Sequence, residues 1–114
     1  MLTWFTKHAR TLNAAGWQPV THAHVDQKDV ACERYGRGDV VYFSLVNLGD
    51  DPSDTTLTVD MAALGMAPGD GASSSFSEIA RDTTIRASTN GDTGKVRLRL
   101  NPNEAHIVKL TRTW

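Results

Sequence analysis

The chain has little of several features on which protein chemistry commonly depends. It contains one cysteine, Cys32, among 114 residues, which excludes an internal disulfide framework and any metal site built from several thiolates. Its 12 lysines and arginines stand against 13 acidic residues and give a formal net charge of −1. The basic excess typical of nucleic-acid binders is therefore missing, and we expect no nucleic-acid partner.

Long apolar segments are missing as well. The longest, residues 40–46, has seven residues and contains Ser44, whereas a helix that spans a membrane needs roughly 20. The first residues lack the charged and then apolar pattern of a secretory signal. Hydrophobic residues make up 39% and charged residues 22% of the chain, a balance typical of ordinary globular proteins. We expect one soluble domain and no membrane partner.

Residues 2–15 have the periodicity of a helix. Apolar residues recur at steps of three and four, which places them on one side of a helix; they are Leu2, Phe5, Ala9 and Leu12. Gly16 stands where a left-handed residue commonly ends a helix. Because an isolated helix of this length is marginal in water, it must pack against another surface.

After Gly16 the pattern changes to short segments of strand-like alternation, with turn residues roughly every 8–12 positions. The segments are residues 17–25, 30–35, 39–47, 56–60, 75–80, 83–87, 95–100 and 104–110. This pattern predicts an all-β fold, an antiparallel β-sandwich with Greek-key connections and seven or eight strands. The sandwich would span residues 17–114, after an N-terminal α-helix within residues 1–16. A small closed barrel is the alternative. The inward alternation along these strands predicts one shared core, made of Phe43, Leu45, Leu57, Val59, Val96, Leu98 and Ile107.

The strand predicted over residues 39–47 is apolar on both faces. Val41, Phe43 and Leu45 alternate with a second apolar set on the other face. A strand of this kind is covered on its outer side by another element or domain. We therefore expect a docking surface that joins the helix and this outer face, made of Leu2, Trp4, Phe5, Leu12, Val40, Tyr42 and Val46.

Several segments carry short motifs that occur together in one family. Residues 100–110, LNPNEAHIVKL, contain an L-x-P-x-E-A turn that leads into a last strand. Residues 40–47, VVYFSLVN, end on asparagine before a loop, and residues 56–60 resemble the strand that follows. Residues 4–17 run through L-N-x-A-G-W into the first strand. Together these motifs resemble the C-terminal β-sandwich accessory domain that follows the catalytic barrel in amylase-type and other glycoside hydrolases.

The resemblance implies a non-catalytic module that docks on and stabilises the catalytic domain of a carbohydrate-active enzyme, its natural partner. The helix within residues 1–16 would be a remnant of, or a linker from, that preceding domain. The module would be secreted as part of the larger enzyme. The resemblance implies no catalysis by this chain, because those enzymes keep their catalytic carboxylates in the barrel.

The carboxylates and the cysteine of the chain give no catalytic pattern. A glycosidase needs two carboxyl groups held roughly 5–10 Å apart, one of them with a raised pKa. The three glutamates, Glu33, Glu78 and Glu104, are scattered over two strands and a turn, and we expect them to be solvated at the surface. Cys32 lies within a predicted strand, where we expect it to act as a small buried apolar residue.

Two clusters have the residue types of metal ligands. His22 and His24 lie on the same side of an extended segment, as two zinc ligands would, with Asp26 or Asp29 as a further candidate. The loop after residue 47 offers oxygens for calcium; the weak candidates are Asp50, Asp51 and Asp54. Since aspartates also occur in turns for conformational reasons, we expect no metal and no cofactor.

A carbohydrate-binding module is the alternative function. Flat aromatic rings stack on the apolar faces of sugars, and polar side chains hold the hydroxyls. The candidate residues cluster around the turn at residues 36–39 and the first strand; they are Tyr35, Arg37, Asp39 and Trp17. A third reading is a self-associating domain, a homo-oligomer in which the apolar outer face meets a second copy of itself.

Overall fold

The computed structural model describes residues 14, 16–18, 22–36, 39–66, 73–79 and 85–113. Within these ranges the chain is all-β. The strands are β1 (Trp17–Gln18), β2 (Ala23–Val25), β3 (Val30–Tyr35), β4 (Val40–Asn47), β5 (Ser53–Asp60), β6 (Ser73–Glu78), β7 (Arg86–Asn90), β8 (Thr93–Leu100) and β9 (Ala105–Thr113). Strands β1 and β2 divide the single strand predicted over residues 17–25. Apart from that division, each predicted strand corresponds to a strand of the structure.

The strands form two antiparallel sheets. The five-stranded sheet has the order β1-β3-β4-β9-β6, and the four-stranded sheet has the order β2-β5-β8-β7. Each sheet ends in two separate edge strands, so the architecture is sandwich-like and the barrel alternative does not hold. The longest pairings, β4 with β9 and β5 with β8, join strands far apart in the chain.

One hydrophobic core lies between the sheets, because alternate residues of β4, β5, β8 and β9 point inward. Its fully buried members include Phe43 and Leu45 from the five-stranded sheet and Leu57, Val59 and Val96 from the four-stranded sheet. These five were predicted from alternation alone, and the prediction is confirmed. Leu98, also predicted, is partly buried and packs against the same cluster.

The prediction that Ile107 belongs to this core is wrong. Ile107 is fully buried, but it pairs with Ser44 on the outward face of the five-stranded sheet. Its neighbours on β9, Val108 and Leu110, occupy the core positions. The error arose because β9 is buried on both faces at this point, and alternation cannot then tell which face is the core.

Asn47 connects four segments at one end of the sandwich. Its side-chain amide donates hydrogen bonds to the carbonyl oxygens of Asp51 (2.8 Å) and Leu100 (3.0 Å). Its Oδ1 accepts a hydrogen bond from the N–H of Gly49, and its backbone N–H donates to the carbonyl of Glu104. Asn47 is only 1% exposed, so these bonds satisfy polar groups that water does not reach.

Gly94 allows the two sheets to approach closely near one edge. A Cβ at this position would lie 2.7 Å from the ring of Phe76 and 3.2 Å from the sulfur of Met61. Phe76 lies on β6 of the five-stranded sheet, whereas Gly94 lies on β8 of the four-stranded sheet. The missing side chain therefore provides the space that the aromatic ring fills.

The predicted helix over residues 2–15 falls outside the described residues, except for Ala14, and so the boundary between a helix within residues 1–16 and a sandwich over 17–114 stays a prediction. Residues 61–65 form hydrogen-bonded turns, with Asp60 accepting a hydrogen bond from the N–H of Ala63. Within the part of the chain that the structure describes, no helix is long and apolar enough to cross a membrane.

Candidate functional site

The outward face of the five-stranded sheet carries a row of aromatic positions. Trp17 on β1 is paired in register with Tyr35 on β3, and Tyr35 is paired with Tyr42 on β4. The row continues to Lys109 on β9. Neighbouring strands lie roughly 4.8 Å apart, so three adjacent strands bring these positions within about 10 Å. Tyr35 and Tyr42 are both half-buried.

The same face is apolar along β4 beyond this row. Val40 and Val46 are half-buried, while Ser44 between them is 6% exposed. The partners of Ser44 and Val46 on β9 are Ile107 and Ala105, which are 0% and 2% exposed. This face therefore passes from fully buried apolar residues to half-exposed ones, as the two-faced sequence of β4 predicts.

The predicted carbohydrate-binding residues lie at one end of this face. Asp39 is exposed, and its carbonyl oxygen accepts a hydrogen bond of 2.9 Å from the N–H of Arg112. The N–H of Gly36 donates to the carbonyl of Gly16 at 2.7 Å, which ties the turn to the start of β1. Arg37 lies outside the described residues. Tyr35 and Trp17 occupy the aromatic row, so the register brings three of the four predicted positions to one end of the sheet.

Of the predicted docking residues, Val40, Tyr42 and Val46 share the outward face described above. The four predicted on the helix lie outside the described residues; they are Leu2, Trp4, Phe5 and Leu12. Their contact with β4 therefore stays a prediction.

A buried cluster of charged side chains lies where β6 meets β9. The ring of His106 lies between two carboxylates, with Nδ1 3.4 Å from Glu78 Oε2 and Nε2 3.0 Å from Glu104 Oε1. Glu78 Oε2 also accepts a hydrogen bond of 2.8 Å from the N–H of Ile107. The side chain of Glu78 is fully buried, and that of Glu104 is one-fifth exposed. The prediction that both are solvated surface carboxylates is wrong for Glu78.

Two opposing effects act on the pKa of His106. Burial alone lowers it, because removal from water disfavours the charged imidazolium. The hydrogen bonds and negative charges of Glu78 and Glu104 act the other way and raise the pKa above its ordinary value of 6.5. The folded protein therefore favours the protonated ring. Register explains the cluster, since Glu78 is paired with Val108 beside His106, and no local pattern in the sequence indicates it.

Burial determines the chemistry of Glu78 and of Cys32. The complete burial of Glu78 keeps it from contact with a substrate. Cys32 is half-buried and packs against the core. Burial, with the negative charge of Glu33 as a second cause, raises the pKa of the Cys32 thiol to about 11. The thiol is thus protonated near neutral pH and is a poor nucleophile.

The acidic loop lines a shallow hollow of about 340 Å³ that includes Asp50, Asp51 and Asp54. Asp54 faces away along β5, where its carboxylate lies 3.4 Å from Arg99, and Oδ1 of Asn47 is occupied by the N–H of Gly49. His22 and His24 line another hollow with Asp60 and Asp92. Among the described residues, no group of three or more histidine, cysteine or acidic side chains is arranged to hold a metal ion.

Comparison with known proteins returns no relative of this chain. No protein-family model matches it, and no curated protein or solved structure is detectably similar to it. The resemblance to accessory domains of glycoside hydrolases rests on the short motifs of the sequence alone, and it stays a prediction.

Proposed function

We propose that the chain is a non-catalytic accessory module, which docks on the catalytic domain of a glycoside hydrolase through the outward face of its five-stranded sheet. The proposal includes Greek-key connections between the sheets and a helix within residues 1–16 that leads from the catalytic domain.

The observation that carries the proposal is the apolar character of this outward face. Val40, Tyr42 and Val46 are half-buried along β4 on this face. Val46 pairs with the buried Ala105, whereas Val40 and Tyr42 pair with Thr111 and Lys109. Complete burial of a large apolar side chain contributes about 1.5–3 kcal/mol. Burying the part of these three that is still exposed, at most about a third of each, would contribute roughly 0.5–3 kcal/mol. This free energy is sufficient to hold two domains of one polypeptide together, because their association costs little entropy.

The test uses the full-length gene product and two substitutions on this face, Tyr42→Lys and Val46→Lys. We expect each to lower the melting temperature of the catalytic domain, because a charged side chain would be buried or the interface lost. Thr93→Lys, at a half-buried outward position of the four-stranded sheet opposite Asp60, is the matched control and should leave it unchanged. Equal melting of all three proteins, or a gene product with no second folded domain, would refute the docking role.

The non-catalytic part of the proposal has its own test. The purified chain should hydrolyse no aryl glycoside or polysaccharide, because Glu78 is enclosed and cannot form a pair with the exposed Glu33. Turnover that persists through purification and disappears in Glu33→Gln would show that the chain is an enzyme.

Carbohydrate binding is the second candidate, favoured by the aromatic row of Trp17, Tyr35 and Tyr42 in adjacent strands. Binding should then appear on at least one insoluble neutral polysaccharide and be lost in Tyr35→Ala and Tyr42→Ala, with Thr58→Ala as the control. Because this row shares its face with the docking residues, binding of neutral polysaccharide by the full-length enzyme would argue against docking through this face.

Self-association is the third candidate. A dimeric mass for the isolated chain that becomes monomeric in Val46→Lys would support it.

A further inference from the structure

The outward face of the four-stranded sheet is cationic. Strand β8 places Lys95, Arg97 and Arg99 at alternate positions on this face, and all three are exposed. Alternate residues of a strand lie about 6.8 Å apart, so the three charges extend along roughly 14 Å. Strand β7 adds the exposed Arg86 directly opposite Arg97. We call these four residues the cationic face.

Among the residues that the structure describes, these charges are poorly neutralised. Arg99 lies 3.4 Å from Asp54, but the two side chains are 62% and 75% exposed, so water and salt screen that pair. Within the described residues, Arg86, Lys95 and Arg97 make no ion pair. Like charges directly opposite one another on a sheet are destabilising. The arrangement of Arg86 beside Arg97 therefore favours an anion that contacts both guanidinium groups.

Shallow hollows follow the cationic face. One of about 290 Å³ is lined by Asp54, Arg86, Arg97 and Arg99. A second of about 450 Å³ continues past Arg86 and Arg97 to Lys95. Its lining also includes two hydroxyl groups, from Thr56 and Ser88. Open hollows that continue along a strand suit a linear polymer better than a small enclosed ligand.

The residues between the charges indicate which polymer. The outward positions of β5, β7 and β8 hold threonine, serine, asparagine and aspartate beside the cations, and none holds phenylalanine, tyrosine or tryptophan. Single-stranded nucleic acids and neutral polysaccharides both need aromatic rings on which to stack. Guanidinium groups, by contrast, bind carboxylate or sulfate groups with two parallel hydrogen bonds. The threonine and serine hydroxyls of this face can form hydrogen bonds with the hydroxyls of a sugar.

We propose that the cationic face binds an acidic polysaccharide, with a carboxylate or sulfate group bridging Arg86 and Arg97 and further acidic groups of the same polymer at Arg99 and Lys95. This inference concerns the four-stranded sheet and does not depend on what the five-stranded sheet contacts. It also differs from the aromatic row, which suits neutral sugars.

The test measures binding of the whole chain to polygalacturonate and to dextran sulfate, with neutral dextran as the reference, in low and high salt. We expect binding to both acidic polymers, none to dextran, and weakening with salt because the contacts are exposed. The double substitution Arg86→Gln/Arg97→Gln should weaken binding about tenfold or more, since two charge-assisted contacts are lost. Asp54→Asn should strengthen it, because a competing carboxylate is removed from Arg99.

Lys28→Gln is the control: it removes one positive charge from an exposed turn that lines neither of the two hollows, and it should change binding little. An equal loss of binding per charge removed in Lys28→Gln and in the double variant would mean that net charge alone determines binding, and would overturn the proposal. Absence of binding to both acidic polymers would overturn it as well. A single-stranded DNA homopolymer bound as tightly as the polysaccharides would also do so, by showing that the face does not select sugars.

Discussion

The two sheets share one core, but they differ in where their charged side chains lie. The five-stranded sheet holds several of them in the protein interior, whereas the four-stranded sheet holds its cations at the surface. In the five-stranded sheet, Arg34, Glu78 and His106 point inward and are at most 8% exposed. The outward side is apolar along much of β4, although it also carries the charged Glu33 and Lys109. In the four-stranded sheet the inward side is apolar and the cations stand in water. An electrostatic interaction is several times stronger in the protein interior than at the surface. The same residue types should therefore matter to folding in one sheet and to recognition in the other.

The strongest contrast is expected between Glu78 and Asp54, a buried and an exposed carboxylate that each contact a basic side chain. Glu78→Ala leaves His106 without its buried partner and the N–H of Ile107 without its acceptor. Removal of one member of a buried pair costs about 3–5 kcal/mol. Asp54→Ala removes only a screened contact with Arg99, worth about 0–1 kcal/mol.

Urea-induced unfolding of both variants measures this difference. Similar losses of unfolding free energy in the two variants would show that burial does not make Glu78 more important to stability than Asp54. The proposed difference between the two sheets would then be wrong.

The outward faces themselves are compared by Ile107→Ala and Ser88→Ala. Ile107 is fully buried on the outward side of the five-stranded sheet, and truncation of a buried isoleucine costs about 2–5 kcal/mol. Ser88 is exposed on the outward side of the four-stranded sheet, where a substitution typically changes stability by less than about 0.5 kcal/mol. Thermal melting of the two variants measures both losses of stability. A loss below about 1 kcal/mol for Ile107→Ala would mean that this face is open to water.

The buried histidine adds a pH dependence that an exposed one lacks. Because the folded pKa of His106 is raised above its unfolded value near 6.5, protonation stabilises the fold. This contribution is complete below about pH 6.5 and is lost as the pH rises through the folded pKa. The unfolding free energy of the wild type should fall over that range, and His106→Gln should not show this decrease.

Unfolding titrations of the wild type and of His106→Gln between about pH 6 and pH 9 test this. A wild-type slope in His106→Gln would show that another group is responsible.

The sequence predicted the core best where one face of a strand is polar. Leu57 and Val59 alternate with threonines, and Val96 alternates with Lys95 and Arg97. This alternation of apolar and polar residues identified the inward face. It failed for β9, where both faces are buried and Ile107 was assigned to the wrong one. Strand β7 was placed three residues too early, because its residues are all exposed and carry no apolar alternation from which its bounds could be read.

Both charged sites depend on the pairing of strands. Glu78 and His106 are 28 residues apart by number and meet only because β6 pairs with β9. The cationic cluster is more local. The alternation of β8 shows that Lys95, Arg97 and Arg99 point outward, and Arg86 stands opposite Arg97 because β7 and β8 form a hairpin that turns at Gly91 and Asp92. Cross-strand register within each sheet thus supplies both clusters, from a distant pairing for Glu78 and His106 and from a hairpin for Arg86 and Arg97.

The smallest expected effect concerns the repulsion between Arg86 and Arg97. Arg86→Gln removes one of two like charges directly opposite each other, so it should raise the unfolding free energy by about 0.2–1 kcal/mol. The gain should be largest in dilute buffer and should nearly vanish at about 1 M salt, where the screening length is only about 3 Å. Arg99→Gln is the matched control, because it removes a cation that has an acidic partner, and it should lower stability slightly or leave it unchanged. If Arg86→Gln is destabilising in dilute buffer, the two guanidinium groups do not repel each other, and the affinity of this face for a bridging anion loses its physical basis.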